Sequence, residues 1–352
     1  MLSETLRPES ETTVETSLPQ APVPTAWDSV IEPVQPFLQL VQEGLAAQVN
    51  GFDKEIAPYA RYALASQGKH LRPTLVFLSG QSVGECSQAL VRAAIIIEMV
   101  HLATLVHDDI MDAASLRRMR PTASAHWGNE VSVLLGDCLF AHALKLASEF
   151  PTTEVCRAVA AATRTVCSGE ILQTLRSKQS PPALGNYFKV IGMKTAELFA
   201  LSSSLGASLA GGTQAQVQAL RKYGYQLGIA YQIHDDCLDL FGSETRTGKS
   251  LGTDLASGKI TLPVLLALER STAEERTRIE SWLGQWSPQL HLKPLREWLE
   301  KNQALRETQS FLHQSLHEAR TALAIVPDSP SREALLTLTQ FLLLQNNELE
   351  SA

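Results

Sequence analysis

The chain has 352 residues, of which 44% are hydrophobic, 19% charged and 6% aromatic. This is enough apolar mass for a large core, filled by alanine and leucine rather than by rings, and it excludes a chain disordered throughout. Thirty Lys plus Arg against 37 Asp plus Glu leave a formal charge of -7, which excludes a general nucleic-acid binder, since such a protein presents a net basic surface.

Residues 1–25 carry four Glu, one Arg and four Pro with no apolar stretch, so a disordered tail is expected ahead of one helical domain over 26–352. The tail is too acidic for an organelle transit peptide and lacks the basic start and apolar segment of a secretory signal. From Trp27 onward, apolar residues recur at spacings of three and four, as in VIEPVQPFLQLVQEGLAAQV, and no long stretch alternates with period two. An all-α fold follows. Breakers at Gly51, QGKHLRP, Gly84, RRMRPT, Pro151, Pro181, Pro182, Gly211, Gly212, the 242–258 loop, Pro288 and Pro327 divide it into roughly ten to twelve helices. Two segments, 87–112 and 214–241, are apolar on most faces and belong at the centre. No uninterrupted apolar run reaches the roughly 18 residues that span a bilayer; the longest candidate, 93–106, is broken by Glu98 and His101. The five cysteines (Cys86, Cys138, Cys156, Cys167, Cys237) are odd in number and form no CxxC pair, so they read as small buried hydrophobes in a reducing, cytoplasmic setting.

Each central segment ends in acids: HDDIMD places Asp108, Asp109 and Asp112, and HDDCLD places Asp235, Asp236 and Asp239. Residues four apart share a helix face, so Asp108 stands beside Asp112 and Asp235 beside Asp239. Like charges this close destabilise one another, and removing carboxylates from water costs several kcal/mol each unless a cation offsets it. Magnesium fits: it prefers oxygen ligands, keeps part of its water shell and bridges carboxylates to phosphates. The bases Lys69 and Arg72 in GKHLRP, Arg117 and Arg118 after the first cluster, Lys194 in KTAELF, and Lys249 and Lys259 after the second suit diphosphates held opposite such a metal. His107 and His234 each precede an aspartate pair and read as structural, and Arg164, Arg176 and Arg221 as solvated faces. GSETRTGKS is not a nucleotide loop, because five residues separate its glycines and a helix rather than a strand precedes it.

With these segments in hand, the sequence resembles the trans-isoprenyl diphosphate synthases, the polyprenyl synthetase family. GKHLRP, EMVHLATLVHDDIMDAASLRR, LLGD, SGEILQ, KTAELF, YQIHDDCLD and GKSLGTDLASGKITLP match its pattern in that order, and the likeness runs over most of residues 30–340. The resemblance implies the all-α isoprenoid synthase fold and a prenyltransferase that condenses isopentenyl diphosphate with an allylic prenyl diphosphate. It implies that Lys69, Arg72, His101 and Arg118 hold the isopentenyl diphosphate. The six aspartates would bind three magnesium ions around the allylic diphosphate, with Arg117, Lys194, Thr195, Gln232, Lys249 and Lys259 helping to hold it. A homodimer is implied too, with no nucleic-acid partner.

By the same resemblance, the product extends along the first central helix, back from the aspartates. An aromatic at Ala103 or Thr104 would close that path, and Ala103 leaves it open. Val100 and Ile97 lie two and three turns back, which places a floor roughly 16 Å down the helix at about 1.5 Å per residue. Together with an uninterrupted DDIMD, this favours a long, all-trans product. Three departures flank the isopentenyl half: Gln67 where the family usually has glycine, His70 where it has arginine, and Met119 where it has glycine. Glycine readily takes a positive φ, so Gln67 and Met119 suggest an altered loop shape. The chain also ends in LLLQNNELESA, without the basic residue expected near the last helix. These departures raise two alternatives: a class I terpene synthase-like enzyme that ionises a prenyl diphosphate without coupling, or a regulatory subunit of a heteromeric synthase.

Overall fold

A computed structural model of the chain describes residues 26–65, 68–176, 181–244 and 250–350. The acidic tail, Gln67 and Lys249 lie outside them. Three helices, α1 (Ala26–Ile31), α2 (Gln35–Gln48) and α3 (Ala57–Leu64), lead to α4 (Leu71–Gln81) and to the long α5 (Gln88–Met111). A hairpin follows, with β1 (Leu116–Arg117) antiparallel to β2 (Arg120–Pro121). Next come α6 (Ala123–Trp127), α7 (Asn129–Ser148), α8 (Glu154–Arg176) and α9 (Leu184–Ile191), which runs through a π turn (Gly192–Ala196) into α10 (Glu197–Leu209). The second long helix, α11 (Gln214–Phe241), is followed by α12 (Thr253–Ala256), α13 (Leu262–Arg270), α14 (Ala273–Gly284), α15 (Pro288–Lys301), α16 (Ala304–Ala322) and α17 (Pro330–Asn347).

These are 17 α-helices among the described residues, more than the breakers alone suggest. The excess lies in α1, α3, α6, α9 and α12, which have only four to eight residues, too few for a 3.6-residue period to show. The two central helices fall where the apolar runs place them. Nearly every side of α5 is buried, from Leu90 through Ile95, Ile96, Ile97 and Met99 to Val106, because it is surrounded by α2, α4, α7 and α10. Helix α11 opens on a capping box between Thr213 and Gln216 and lies between α10 and α16. A smaller apolar cluster of Leu240, Leu255, Val264, Leu268, Ile279, Leu295 and Trp298 packs the segment beyond α11, and Ile260 touches both clusters.

Two expectations are corrected. Helices α5 and α7 are both long and apolar enough by composition to cross a membrane, because isolated residues such as Glu98 and His101 do not stop an apolar helix; 72% of the apolar window of α5 is buried inside the protein, as in a core helix, but only 39% of that of α7. The cysteines are also less buried than their chemistry suggests. Cys86, Cys138 and Cys167 are exposed, and only Cys237 is buried, because Cys138 and Cys167 fall on outward faces of α7 and α8.

Close approach of α11 to α10 positions the site. A Cβ added at Gly224 would stand 2.4 Å from the Phe199 carbonyl oxygen, and one at Gly228 would stand 2.6 Å from Ala196 Cα. The missing side chains let α11 press against the π turn, which carries Lys194 and Thr195 one turn from Gln232. Gly228→Ala should therefore destabilise the fold by about 1–3 kcal/mol, the usual cost of overpacking, whereas Gly185→Ala, where a Cβ meets nothing within 4 Å, should not. Urea midpoints of the two variants check this; equal midpoints would refute it.

Candidate active site

The first acidic cluster, at the C-terminal end of α5, is met by cations from three other segments, and its Asp112 acts on the carboxyl of Asp254 together with Asp235 and Asp239 of the second cluster, at the end of α11. Lys259 follows the second cluster in sequence but donates to the first, from Nζ to Asp112 Oδ1 at 2.6 Å. Arg117 on the hairpin donates from Nε to Asp109 Oδ1 at 2.7 Å. Lys194 on the π turn stands 3.8 Å from Asp108 Oδ2, pairs with Glu170 and donates to Gln173 Oε1 at 3.2 Å. Burial works against the charge on Lys194, but the carboxylates of Asp108 and Glu170 outweigh it and raise its pKa. Burial raises Glu170, with Asp108 adding to the effect. It raises Asp109 too, against the pull of Arg117.

The second cluster is held by neutral donors. Asp236, only 3% exposed, accepts from the Tyr187 hydroxyl at 2.6 Å and from Gln232 Nε2 at 2.8 Å, and Gln232 Oε1 in turn accepts from Thr195 Oγ1 at 2.7 Å. Burial, then the nearby Asp254, push Asp236 well above the carboxylate range. Asp239 caps the α12 turn, accepting from the Thr253 and Asp254 backbone N–H groups at 3.0 and 3.1 Å. Burial and the Asp239 charge push the Asp254 carboxyl up to about 7.

All these ligand-type atoms are oxygens, which suits a hard cation. The Asp108 Oδ1 atom is buried with no hydrogen-bond partner, an acceptor left open. Yet no three His, Cys, Asp or Glu side chains converge as a ready metal cage among the described residues. The chemistry of the donor set fits a magnesium that completes its shell with water and phosphate oxygens, rather than one enclosed by protein alone.

The second half of the site surrounds a buried carboxylate. Glu98 sits in the core helix at 6% exposure, with His70 Nδ1 at 3.5 Å and His101 and Arg72 close by. Burial opposes its charge, but His70, His101 and Arg72 outweigh it and hold the pKa of Glu98 below its usual value. His101 is driven the other way, down to about 3, by burial and by the Arg72 guanidinium, against the opposing pull of Glu98, so at neutral pH its imidazole is uncharged. Arg72 lies over the Phe199 ring, 5.0 Å from the centroid. The Arg118 guanidinium comes so close to Gly68 that a Cβ there would stand 2.6 Å from Nη1. Arg72, His101 and Arg118 thus share one neighbourhood, with Lys69 next in sequence to the Gly68 that Arg118 approaches and with Tyr231 beside them, its hydroxyl raised by burial and then by Asp235 of the second cluster.

The departures leave the hairpin intact. Arg118 and Met119 are its two central residues, at φ 50 and φ 62, and a two-residue turn that needs positive φ at both centres is the one suited to twisted strands. Met119 replaces a glycine without reshaping the turn and accepts the left-handed strain of roughly 1–2 kcal/mol, its side chain 82% exposed. His70 is left-handed as well, at φ 46, and contacts Gln42 at 3.3 Å. Along α5, Ile97, Val100 and Ala103 are buried and Thr104 is half-buried, its hydroxyl donating to the His101 carbonyl at 2.6 Å. Arg221 is not simply a solvated residue, since its Nη2 donates to Glu197 at 2.9 Å; Arg164 is exposed. Glu98, Glu170, Gln173, Tyr187 and Asp254 are site residues that the motifs contained or flanked without marking them. Only the i, i+3 spacing of Glu170 and Gln173 hinted at a shared face.

The chain is similar to known proteins over most of its length. Residues 53–294 match the Polyprenyl synthetase family model. An octaprenyl diphosphate synthase of Haemophilus influenzae is 32% identical over 311 residues, 88% of this chain and 94% of the relative. A nonaprenyl diphosphate synthase of Mycobacterium tuberculosis is 32% identical over 303 residues, 86% of this chain and 90% of the relative. A polyprenyl synthase from Caulobacter crescentus, solved in complex with calcium and isoprenyl diphosphate, superposes with a TM-score of 0.84 at 35% identity over 90% of this chain and 97% of that one. With an all-α fold, two facing aspartate clusters and a family match over most of its length, the chain belongs to the polyprenyl synthetase family.

Proposed function

We propose that the chain is a trans-polyprenyl diphosphate synthase that condenses isopentenyl diphosphate with an allylic prenyl diphosphate, in a magnesium-dependent reaction, to a long all-trans product. The observation that carries this reading is that two carboxylate clusters meet around Asp254, the first of them paired with Lys194, Lys259 and Arg117. The octaprenyl and nonaprenyl synthases among its relatives support the long product. In the reaction the allylic C–O bond breaks, a C–C bond forms to the double bond of isopentenyl diphosphate, a proton is lost and inorganic diphosphate leaves.

Asp108, Asp109, Asp112, Asp235, Asp236 and Asp239 would hold the magnesium, not as a closed cage but shared with phosphate oxygens; three ions are proposed. Bound magnesium supplies charge neutralisation at the departing diphosphate. Lys194, Lys259 and Arg117, with Thr195, Gln232 and Lys249, bring donors to the same oxygens, and such fixed charges act strongly in a site that excludes water. Lys69, Arg72 and Arg118 grip the isopentenyl diphosphate, to which the neutral His101 offers a hydrogen bond without adding charge. The apolar faces of α5 and α11 keep water from the carbocation.

The product would run along α5 past Ala103, Thr104, Val100 and Ile97. A homodimer is supported by the outward apolar side chains Leu134 on α7 and Ile171 and Leu175 on α8, 64%, 59% and 61% exposed, and by the commonness of two-fold pairing. The free cysteines are compatible with a reducing compartment such as the cytoplasm.

Asp108→Ala and Asp235→Ala should each lower kcat by about two to three orders of magnitude, the scale for removing one preorganised electrostatic group, while the fold persists; unchanged turnover in magnesium would refute their role. Ala103→Phe should shorten the final product seen by mass spectrometry, and an unaltered length would place the path elsewhere. Sedimentation equilibrium should return twice the chain mass, and a monomer at micromolar concentration would remove the dimer.

A further inference from the structure

The chain's first and last described α-helices meet over the lysine of the GKHLRP segment. Lys69 Nζ stands over the Trp27 ring of α1 at 5.9 Å from the centroid and over the Phe341 ring of α17 at 5.6 Å. The two rings contact each other, with centroids 5.4 Å apart and planes tilted by 41°. Both distances lie within the reach over which an ammonium is drawn to a ring face. Two faces converging on one ammonium fix its direction better than one.

The rings are themselves firmly held. Helix α17 runs along α4, with Ser331 Oγ donating to Gln81 Oε1 at 3.0 Å at one end and Phe341 at Lys69 at the other. It is pinned to α11 by the Tyr223 hydroxyl donating to the Leu335 carbonyl at 2.7 Å. Helix α1 is anchored by the buried Val30, and Val34 just beyond it is buried too. A lysine loses rotamer freedom when it is immobilised. A side chain already directed by two rings loses less of it when a ligand arrives, and preorganisation of this kind raises affinity.

We propose that Trp27 and Phe341 are positioning residues, an aromatic clamp that directs Lys69 toward the diphosphate of the incoming five-carbon substrate. This rests on the function proposed above. The rings touch the lysine rather than the reacting atoms, so their effect falls on binding of that one substrate. The clamp also gives the terminal helices a part in the site that no acidic or basic motif announces.

The test is steady-state kinetics of the full chain with isopentenyl diphosphate varied at saturating allylic diphosphate and magnesium. Trp27→Leu and Phe341→Leu should each raise KM for isopentenyl diphosphate about two- to fivefold, and the double variant about five- to thirtyfold, the range expected for cation–π contacts at an exposed lysine. KM for the allylic substrate and kcat should not move, and Trp27→Phe, which keeps a ring face, should restore most of the affinity. In a Lys69→Ala background, Trp27→Leu should have no further effect, because the contact is already gone. Folded Leu variants with a normal KM, or the same KM rise with and without Lys69, would overturn the clamp. A wild-type chain that takes up no isopentenyl diphosphate would instead overturn the function on which it rests, and the clamp with it.

Discussion

Six carboxylates crowd the ends of two helices that are otherwise built to be buried, and the architecture around them is organised by that repulsion. Like charges at one helix end raise one another's free energy, and burial adds to the cost. Five of the six are matched by a group from a different part of the chain: Asp109 by Arg117 from the hairpin, Asp108 by Lys194 from the π turn, Asp112 by Lys259 from beyond the second cluster, Asp236 by Tyr187 from α9 and Asp239 by backbone N–H groups of α12. These partners come from sequence positions as far apart as Asp112 and Lys259, so the fold must close before the clusters are balanced. The same cations that hold the acids apart are then in place to meet a diphosphate.

The half of the site around Glu98 inverts the arrangement. Here one buried acid faces two guanidinium groups, Arg72 and Arg118, and the excess is positive. His101 is kept neutral by burial and by Arg72, so the imidazole adds no further repulsion. Two of the replacements that set this chain apart, His70 and Met119, lie among the described residues on this side. Met119 occupies the left-handed turn position of a glycine, and His70 takes a place beside Glu98. The two halves are joined through Tyr231, which neighbours Arg72, Arg118 and Asp235.

Much of this was legible in the chain because it is local. An apolar stretch at period 3.6 marks α5 and α11 almost to the residue, and clustered acids at their ends are visible without any tertiary knowledge. The bonds Thr195 to Gln232 and Lys259 to Asp112 join residues that family resemblance already implicates. Glu98 was read as an interruption of an apolar run, because nothing in the run reveals the three bases that face it. Tyr187 and Glu170 matter through partners distant in sequence, and no motif marks Trp27 or Phe341, whose helices converge on Lys69 only in the fold. The short helices were missed because four to eight residues are too few for a helical period to show, and the exposed cysteines because burial depends on which neighbour covers a face, which residue type alone does not say.

The most direct measurement is mass spectrometry of the products made by the purified chain with magnesium and farnesyl diphosphate, with and without isopentenyl diphosphate. A ladder of diphosphates lengthening by five carbons, present only when isopentenyl diphosphate is supplied, is the expected result. Hydrocarbons or alcohols formed equally in its absence would contradict chain elongation and point to ionisation without coupling.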